Sequence, residues 1–318
     1  MIIVSFIQAS IRYATALLFG ATGEIVTEKS GHLNLGIPGV MCMGALGGCV
    51  GVYTYGSIAG SPTAMIGVLT VSFAIVFAFL FGALGGAIYS FMTVTLRANQ
   101  NITGLALTSF GFGFCKFFLP DTTLYSSVNK YFKELIPYQG LGIFGELFLS
   151  YGIMVYVAVA IAIVASIIIN KTKTGLRLRS VGENPATADA VGVNVTRYKY
   201  LATMIGCGIA GLGGMFYMLD MRSGNAVTLS VGDIEAIGWL AVALVIFSVW
   251  RPSVAIFGAF VFGCFANLNS IVFVFPQQIM KMAPYVITIV VLIITSIFGS
   301  KNVQPPAALG LPYFREDR

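Results

Sequence analysis

Long apolar runs follow one another along almost the whole chain, and they limit the fold more than any other feature. A helix needs about 20 apolar residues to cross the hydrocarbon core of a bilayer, and runs of that order recur here between short polar connections. The runs lack the two-residue alternation of a membrane β-barrel, and an open strand cannot satisfy its backbone in lipid. The sequence therefore predicts an all-α, polytopic membrane protein.

Only 9% of the residues are charged, against about 25% in soluble domains. We expect a single transmembrane domain over residues 1–318 with about nine spans, eight to ten being compatible with the pattern. The expected spans are 2–21, 35–55, 63–90, 102–119, 151–169, 200–221, 234–250, 254–275 and 284–298.

Pairs of small residues four positions apart recur in these spans, and they let helix backbones approach closely in lipid. We expect them to pack helices together rather than to bind a ligand. The pairs are Gly44/Gly48, Gly47/Gly51, Gly82/Gly86 and the series Gly206/Ala210/Gly214.

The most polar stretch lies between the fifth and sixth expected spans, from Asn170 to Lys199, and holds six of the 18 basic residues. Proline fits the first turn of a helix, so Asn184-Pro185 predicts a helix start and a short helix at 186–191. Gly182 and Gly192 bracket this helix and allow turns. The stretch is therefore expected to hold a short helix between two spans, placed to dock onto another protein.

Basic residues are concentrated on the side of this stretch: twelve lie there and five on the opposite side, with Arg12 inside the first span. Cytoplasmic connections carry the excess of Lys and Arg. We therefore expect the stretch and the C-terminus to be cytoplasmic and the N-terminus to be outside. The net charge of +6 then reports topology, and no basic face interleaved with aromatics indicates nucleic-acid binding.

The stretch also resembles the coupling loop of bacterial ABC importer permeases of the ribose, branched-chain amino acid and nucleoside branch. The resemblance implies a type II importer permease-like fold in the bacterial cytoplasmic (inner) membrane and no cofactor in this chain. The partners it implies are an ABC ATPase subunit, a second permease that is identical or a paralogue, and an external solute-binding protein. The matching residues, to which it assigns ATPase coupling, are Gly182, Glu183, Asn184, Pro185, Ala188 and Gly192, followed by the small-residue run 206–214.

Three further segments resemble the nucleoside permeases in particular: 28–36, 97–104 and the tail 306–316. They imply a nucleoside as the small-molecule substrate, with riboflavin or simple sugars left open. Amides that hydrogen-bond base and ribose, and rings that stack on the base, are the side chains such a pathway needs. The candidates are Asn34, Asn99, Asn267, Asn269 and Trp239.

Two of these segments keep a second interpretation. Glycine and proline within Ser30 to Val40 indicate either a broken helix that lines the pathway or a connection between two spans. Asn99 contacts substrate or caps a helix, since asparagine is a good N-cap.

The chain has no GxxxxGK[ST], HExxH or GxSxG motif and no metal-ligand spacing, so no ATPase, enzyme or metal centre is expected in it. The five cysteines lie in apolar runs without CxxC spacing and are expected to be packed, free thiols. A stand-alone ion-coupled carrier would need acidic residues inside its spans. Glu24, Glu28 and Glu235 fall at the ends of the expected spans, which disfavours that alternative.

Overall fold

The computed structural model describes residues 2–60, 65–119, 130–133, 142–222, 227–268, 282–283, 285–290, 293, 297 and 304–314. Within these ranges the protein is helical and contains no strand. Its helices are α1 (Ile2–Glu28), α2 (Ile37–Ala59), α3 (Gly67–Ser90), α4 (Gln100–Phe118), α5 (Lys130–Lys133), α6 (Gly142–Phe148), α7 (Ile153–Lys171), α8 (Lys173–Glu183), α9 (Pro185–Ala190), α10 (Val195–Phe216), α11 (Val227–Phe247) and α12 (Pro252–Ala266).

Each of the first eight expected spans overlaps one of these helices, and residues 269–275 of the eighth lie outside the described residues. Among the described residues, five helices are long and apolar enough to cross a membrane: Ile2–Glu28, Ile37–Ala59, Gly67–Thr95, Ile153–Lys171 and Val195–Met221. Two of these five include a π-helical turn, at Phe91–Thr95 and Tyr217–Met221. The ninth expected span, 284–298, is described only at residues 285–290, 293 and 297, so the count of nine stays a prediction.

Helix α10 lies at the centre of the bundle and packs against α1, α2 and α3. The expected small residues make these contacts. A Cβ added to Gly214 would lie 1.8 Å from the Met41 carbonyl oxygen, and one added to Gly44 would lie 2.2 Å from the Gly211 Cα. Since no real side chain fits at such distances, the helices touch backbone to backbone, and the expected packing role is confirmed.

Helix α1 corrects one expectation, because it continues to Glu28 instead of ending near residue 21. Glu24 and Glu28 therefore lie inside the helix, 0% and 3% exposed. Glu24 Oε1 accepts a hydrogen bond from the Asn34 backbone N–H at 3.1 Å, and Glu28 Oε2 accepts one from the Trp250 indole. These partners, which are 10 and 222 positions away, each donate to one oxygen of a carboxylate that the sequence had placed at a helix end.

The connection 29–36 between α1 and α2 is a buried link held from several sides. The Leu33 backbone N–H donates to Gln100 Oε1 at 2.9 Å, and the Thr108 hydroxyl donates to the Leu35 carbonyl at 2.9 Å. His32 Nδ1 lies 3.1 Å from the Thr203 hydroxyl. Of the two interpretations of Ser30 to Val40, the structure has the connection between two helices.

The cysteines are free thiols, as expected, and four of them are buried, with Cys264 half-buried. A break in the chain separates α11 from α12. Val249 and Trp250 have φ values of 55° and 52°, and Pro252 opens α12.

Candidate functional site

The polar stretch forms two helices at one end of the bundle, α8 and α9, and we call residues 172–194 the platform. Helix α9 is the short helix expected from the sequence. The Asn184 side chain accepts a hydrogen bond from the Thr187 N–H at 3.0 Å, and Pro185 occupies the first turn. Gly192 then ends the helix with φ +85°, a left-handed conformation that glycine adopts without strain.

Helix α8 (Lys173–Glu183) was not expected, because its sequence is mostly polar. The Thr172 hydroxyl caps it by accepting from the Gly175 N–H at 3.1 Å. Gly175 lies so close to α7 that an added Cβ would be 2.1 Å from the Ile168 carbonyl oxygen. Leu178 and Val181 are its buried apolar side chains. Helix α8 thus fixes the platform to the end of α7.

The inner face of the platform is apolar and small. Val181, Ala188 and Val195 form a buried cluster, with Ala188 only 2% exposed. Gly182 lies against the connection between α1 and α2: an added Cβ would be 2.4 Å from the Lys29 carbonyl oxygen. Gly182 and Ala188, expected to meet an ATPase, therefore face the chain's own bundle.

The tail 304–314 crosses the platform and hydrogen-bonds it to the rest of the chain. The Ala308 N–H donates to the Gly182 carbonyl at 3.0 Å, and the Ala307 N–H donates to Glu183 Oε2 at 3.3 Å. The Tyr313 hydroxyl donates to Asp189 Oδ2 at 2.8 Å. The platform is thus held from above by the tail as well as from below by the bundle.

The tail also reaches beyond the platform. The Gly310 N–H donates to the Gly31 carbonyl at 3.4 Å, and Gln100 Nε2 donates to the Leu311 carbonyl at 3.4 Å. The guanidinium of Arg97 lies over the Phe314 ring, 4.9 Å from its centroid. The tail therefore joins the platform, the α1–α2 connection and the start of α4 at one end of the bundle.

The outer face of α9 is exposed and uncharged. Val191 is 75% exposed, and Ala186, Thr187, Ala190 and Gly192 are exposed beside it. The coupling residues predicted from the sequence shape α9, but they include few of the residues on its exposed surface. Exposed apolar residues at positions 186, 190 and 191, between the two turn glycines, are the signal that could have found this surface.

Positive charge surrounds this surface. Lys171, Lys173 and Arg177 are exposed on or next to α8. Beneath the platform, burial lowers the pKa of the Lys29 ammonium, Arg179 and Arg251 act in the same direction, and Glu183 opposes them. Glu183 therefore lies in a cationic environment in addition to accepting from the tail.

Asn34 and Asn99, two of the residues expected along a substrate pathway, hydrogen-bond other residues of the chain. Asn34 is fully buried, with its Oδ1 accepting from the Gly36 N–H at 2.9 Å and its Nδ2 donating to Cys207 Sγ at 3.3 Å. Asn99 caps α4, accepting from the Asn101 and Ile102 N–H groups.

The other expected pathway residues lie on α11, at the end of α12 and beyond. Asn267 donates to the Gly263 carbonyl at 2.9 Å. Trp239 on α11 is half-buried. Asn269 lies outside the described residues.

Membrane-spanning helices around a glycine-packed centre, with an exposed short helix on a supported platform at one end, define a multi-pass membrane protein. The chain belongs to the family described as permease components of the branched-chain amino acid transport system, whose family pattern matches residues 6–294. It is therefore an ABC transporter permease subunit and not itself an enzyme.

Three relatives match nearly the whole chain. The nucleoside ABC transporter permease protein NupC of Lactococcus lactis subsp. cremoris is 32% identical, over 93% of this chain and 92% of its own length. A protein of Haloferax volcanii provisionally named a glucose ABC transporter permease, TsgC13, is 32% identical over 98% and 97%. The guanosine ABC transporter permease protein NupQ of Bacillus subtilis is 31% identical over 98% and 97%.

Proposed function

We propose that this chain forms the translocation pathway of an ATP-driven importer for nucleosides. The observation that carries the proposal is the similarity, over more than nine-tenths of each chain, to two permeases named for nucleosides and guanosine. The segments 28–36, 97–104 and 306–316 resemble nucleoside permeases, and their described residues are joined at the platform end. Sugar is the second candidate substrate, because the Haloferax volcanii relative is equally similar.

In this proposal the platform docks on the separate ATPase subunit. Support comes from the exposed, uncharged outer face of α9 (Val191 is 75% exposed) together with the buried supports on its inner face. Gly182, Glu183, Asn184, Pro185, Ala188 and Gly192 then take part in coupling by shaping and holding α9. Residues Ala186, Ala190 and Val191 make the contact with the ATPase.

We further propose that residues 1–318 form one transmembrane domain in the bacterial cytoplasmic membrane, with the platform and the C-terminus on the cytoplasmic side. The excess of basic residues on that side supports the orientation, and the tail's hydrogen bonds to α8 and α9 support a common side for both. A second permease, identical or a paralogue, and an external solute-binding protein complete the importer. Trp239 and Asn267 remain the proposed pathway residues with partly exposed side chains.

Docking is tested by Ala190→Glu, which places a charge on the exposed face of α9 without touching the inner cluster. We expect the ATPase to be lost on co-purification and uptake of radiolabelled guanosine to fall at least about tenfold, since an unpaired charge in an interface costs a few kcal/mol. Ser57→Glu, on an exposed position near the far end of α2, is the matched control and should retain both. Full co-purification of the Ala190→Glu protein would refute docking through α9.

The substrate is tested separately by competition. Excess unlabelled cytidine or guanosine should abolish uptake of radiolabelled guanosine, while glucose and riboflavin should not. Competition by glucose alone, together with uptake of labelled glucose, would assign the importer to sugars and leave the docking result unaffected.

A further inference from the structure

A cavity of about 680 Å³ opens at the platform end, beside the start of α10. Its walls come from five parts of the chain: the α1–α2 connection at His32, the π-helical turn after α3, the segment from Arg97 to the beginning of α4, the platform with the first turns of α10, and the tail. The side chains that matter here are Arg97, Asp189, Arg197, Lys199 and Tyr313. The cavity shares Gly192 with the exposed surface of α9, whereas Ala186, Ala190 and Val191 of that surface do not line it.

The charge of the cavity wall is strongly unbalanced. Arg97, Arg197 and Lys199 supply three cationic side chains, and Asp189 is the carboxylate among the lining residues. Asp189 already accepts the hydrogen bond of the Tyr313 hydroxyl at 2.8 Å. A concave wall lined by one sign of charge raises the local concentration of ions of the opposite sign, so the cavity favours an anion.

Lys199 is the feature that most needs a partner. Its side chain lines the cavity yet is only 3% exposed, and lysine is almost never fully buried unless it is paired. Within the described part of the chain, no carboxylate lies within salt-bridge distance of its ammonium and no acceptor receives a hydrogen bond from it. An anion in the cavity would supply the missing partner.

Two further features also favour an anion in the cavity. Val195 and Thr196, at the N-terminus of the 22-residue helix α10, line the cavity, and a helix N-terminus favours negative charge. Arg97 is oriented by its position over the Phe314 ring, and a planar guanidinium suits the oxygens of a phosphate. These groups come from separate elements and converge on one space.

We propose that this cavity binds a phosphate group. Two guanidinium groups, one ammonium and a helix N-terminus match the charge and the several oxygen acceptors of a phosphate. The cavity is much larger than one phosphate, so it has room for an organic body attached to it. That body is either the glycerol portion of an anionic phospholipid headgroup, as basic pockets beside membrane helices bind, or part of a soluble phosphorylated compound. The proposal does not depend on which solute the permease carries.

The test measures the melting temperature of the full-length protein, purified in detergent, with two probes. Inorganic phosphate is compared with sodium chloride at equal ionic strength, and phosphatidylglycerol is compared with phosphatidylcholine in mixed micelles. Native mass spectrometry of the same samples counts the phosphatidylglycerol that stays bound. Lys199→Met removes the charge and keeps the apolar stem, and Lys173→Met does the same on the exposed surface of α8 as the matched control.

We expect one probe to raise the melting temperature saturably in the wild type and in the Lys173→Met protein. Lys199→Met should raise the probe concentration needed for half of this stabilisation about tenfold or more, because a charge-assisted hydrogen bond is lost. Lys199→Arg should largely restore the wild-type value. A response to inorganic phosphate identifies a soluble ligand. A response to phosphatidylglycerol, with retained lipid in the mass spectrum, identifies the headgroup.

If the Lys199→Met protein fails to fold, Arg97→Gln replaces it in the same experiment, because Arg97 is exposed and lies in another part of the chain. The proposal is overturned if neither probe raises the melting temperature above its control. It is also overturned if the wild type, the Lys199→Met protein and the Arg97→Gln protein respond alike. It is also overturned if Lys199→Met abolishes ATPase co-purification while leaving both probe responses unchanged, because the cavity would then belong to the protein interface.

Discussion

The centre of the bundle and the platform are built in opposite ways. Around α10, glycines bring helix backbones so close that an added Cβ on Gly214 would lie 1.8 Å from the Met41 carbonyl oxygen. The platform has a cluster of three buried side chains, Val181, Ala188 and Val195, and is tied down by the hydrogen bonds of the tail. The centre therefore has no room for an added atom, whereas the platform depends on a few separable contacts.

This difference agrees with the proposed function, in which the platform receives force from a separate ATPase subunit. A centre in which backbones touch moves as a unit, because it has no space in which to deform. A platform held by a few bonds to the α1–α2 connection, the start of α4 and the tail passes a displacement to each of them.

The largest effect is expected from one methyl group in the centre. Gly214→Ala should destabilise the protein by about 1–3 kcal/mol or more through overpacking and reduce the yield of monodisperse protein in detergent. Gly113→Ala, on α4 with no atom within 4 Å of the added Cβ, should instead stabilise it by about 0.5–1 kcal/mol, as alanine does in a helix. Melting curves of the two proteins measure the contrast, and equal losses in both would remove the distinction.

The second effect is expected at the joint between tail and platform. Ala308→Gln places a long side chain where only 6% of the alanine is exposed, and overpacking of about 1–3 kcal/mol should lift the tail. Amide hydrogen exchange over residues 185–193 should then accelerate about tenfold, while exchange in α10 stays slow. Ala307→Gln, on the exposed neighbouring position, is the control. Unchanged exchange in the Ala308→Gln protein would mean that the platform does not depend on the tail.

The third effect is a pH dependence of the protein's stability, and it arises from the connection beneath the platform. Burial lowers the pKa of His32 well below its ordinary value, and the charge of Lys199 lowers it further. As the pH falls below about 6.5, the unfolded chain binds this proton before the folded protein does, so stability decreases with falling pH by up to about 1.4 kcal/mol per pH unit.

His32→Gln removes the single histidine of the chain and should flatten this dependence. Melting temperatures between pH 7.5 and 5.5 measure it, and the difference between the two proteins isolates the contribution of His32. An identical slope in both would show that His32 is not the titrating group.

The smallest effect is expected from one hydroxyl. Tyr313→Phe removes the hydrogen bond to Asp189 and should cost about 1 kcal/mol, seen as a slightly faster amide exchange of α9 without a change in the exchange of α10. Tyr53→Phe, on a residue that is 60% exposed, should change neither. A loss of overall stability in the Tyr313→Phe protein would show that the platform and the centre are not separable.

The sequence predicts local features of both regions well, because the residues responsible act on their neighbours. Asn184 and Pro185 start α9 and Gly192 ends it, as expected, and the glycine pairs pack helices as expected. The sequence could not predict what depends on distant partners. Glu24 and Glu28 are buried inside α1 and accept hydrogen bonds from Asn34 and Trp250, and no local pattern indicates a partner 222 positions away.

The surface of the platform was predicted only in part for the same reason. Gly182 and Ala188 belong to a motif that resembles a coupling loop, but their burial is decided by the tail and the α1–α2 connection. Helix α8 was missed because its apolar side consists of Leu178 and Val181 in an otherwise polar segment, too few to produce a periodic pattern. The roles of the motif residues in coupling stay predictions until the docking experiment is done.

The hydrogen bond from Ala308 to Gly182 sets an order of events during biosynthesis. Ala308 leaves the ribosome after every helix from α1 to α12, so the platform reaches its final support only when those helices have been made. A nascent chain that stops early carries α9 without the tail above it. In the proposed function, an ATPase subunit therefore meets a fully supported platform only after the chain has been made as far as Ala308.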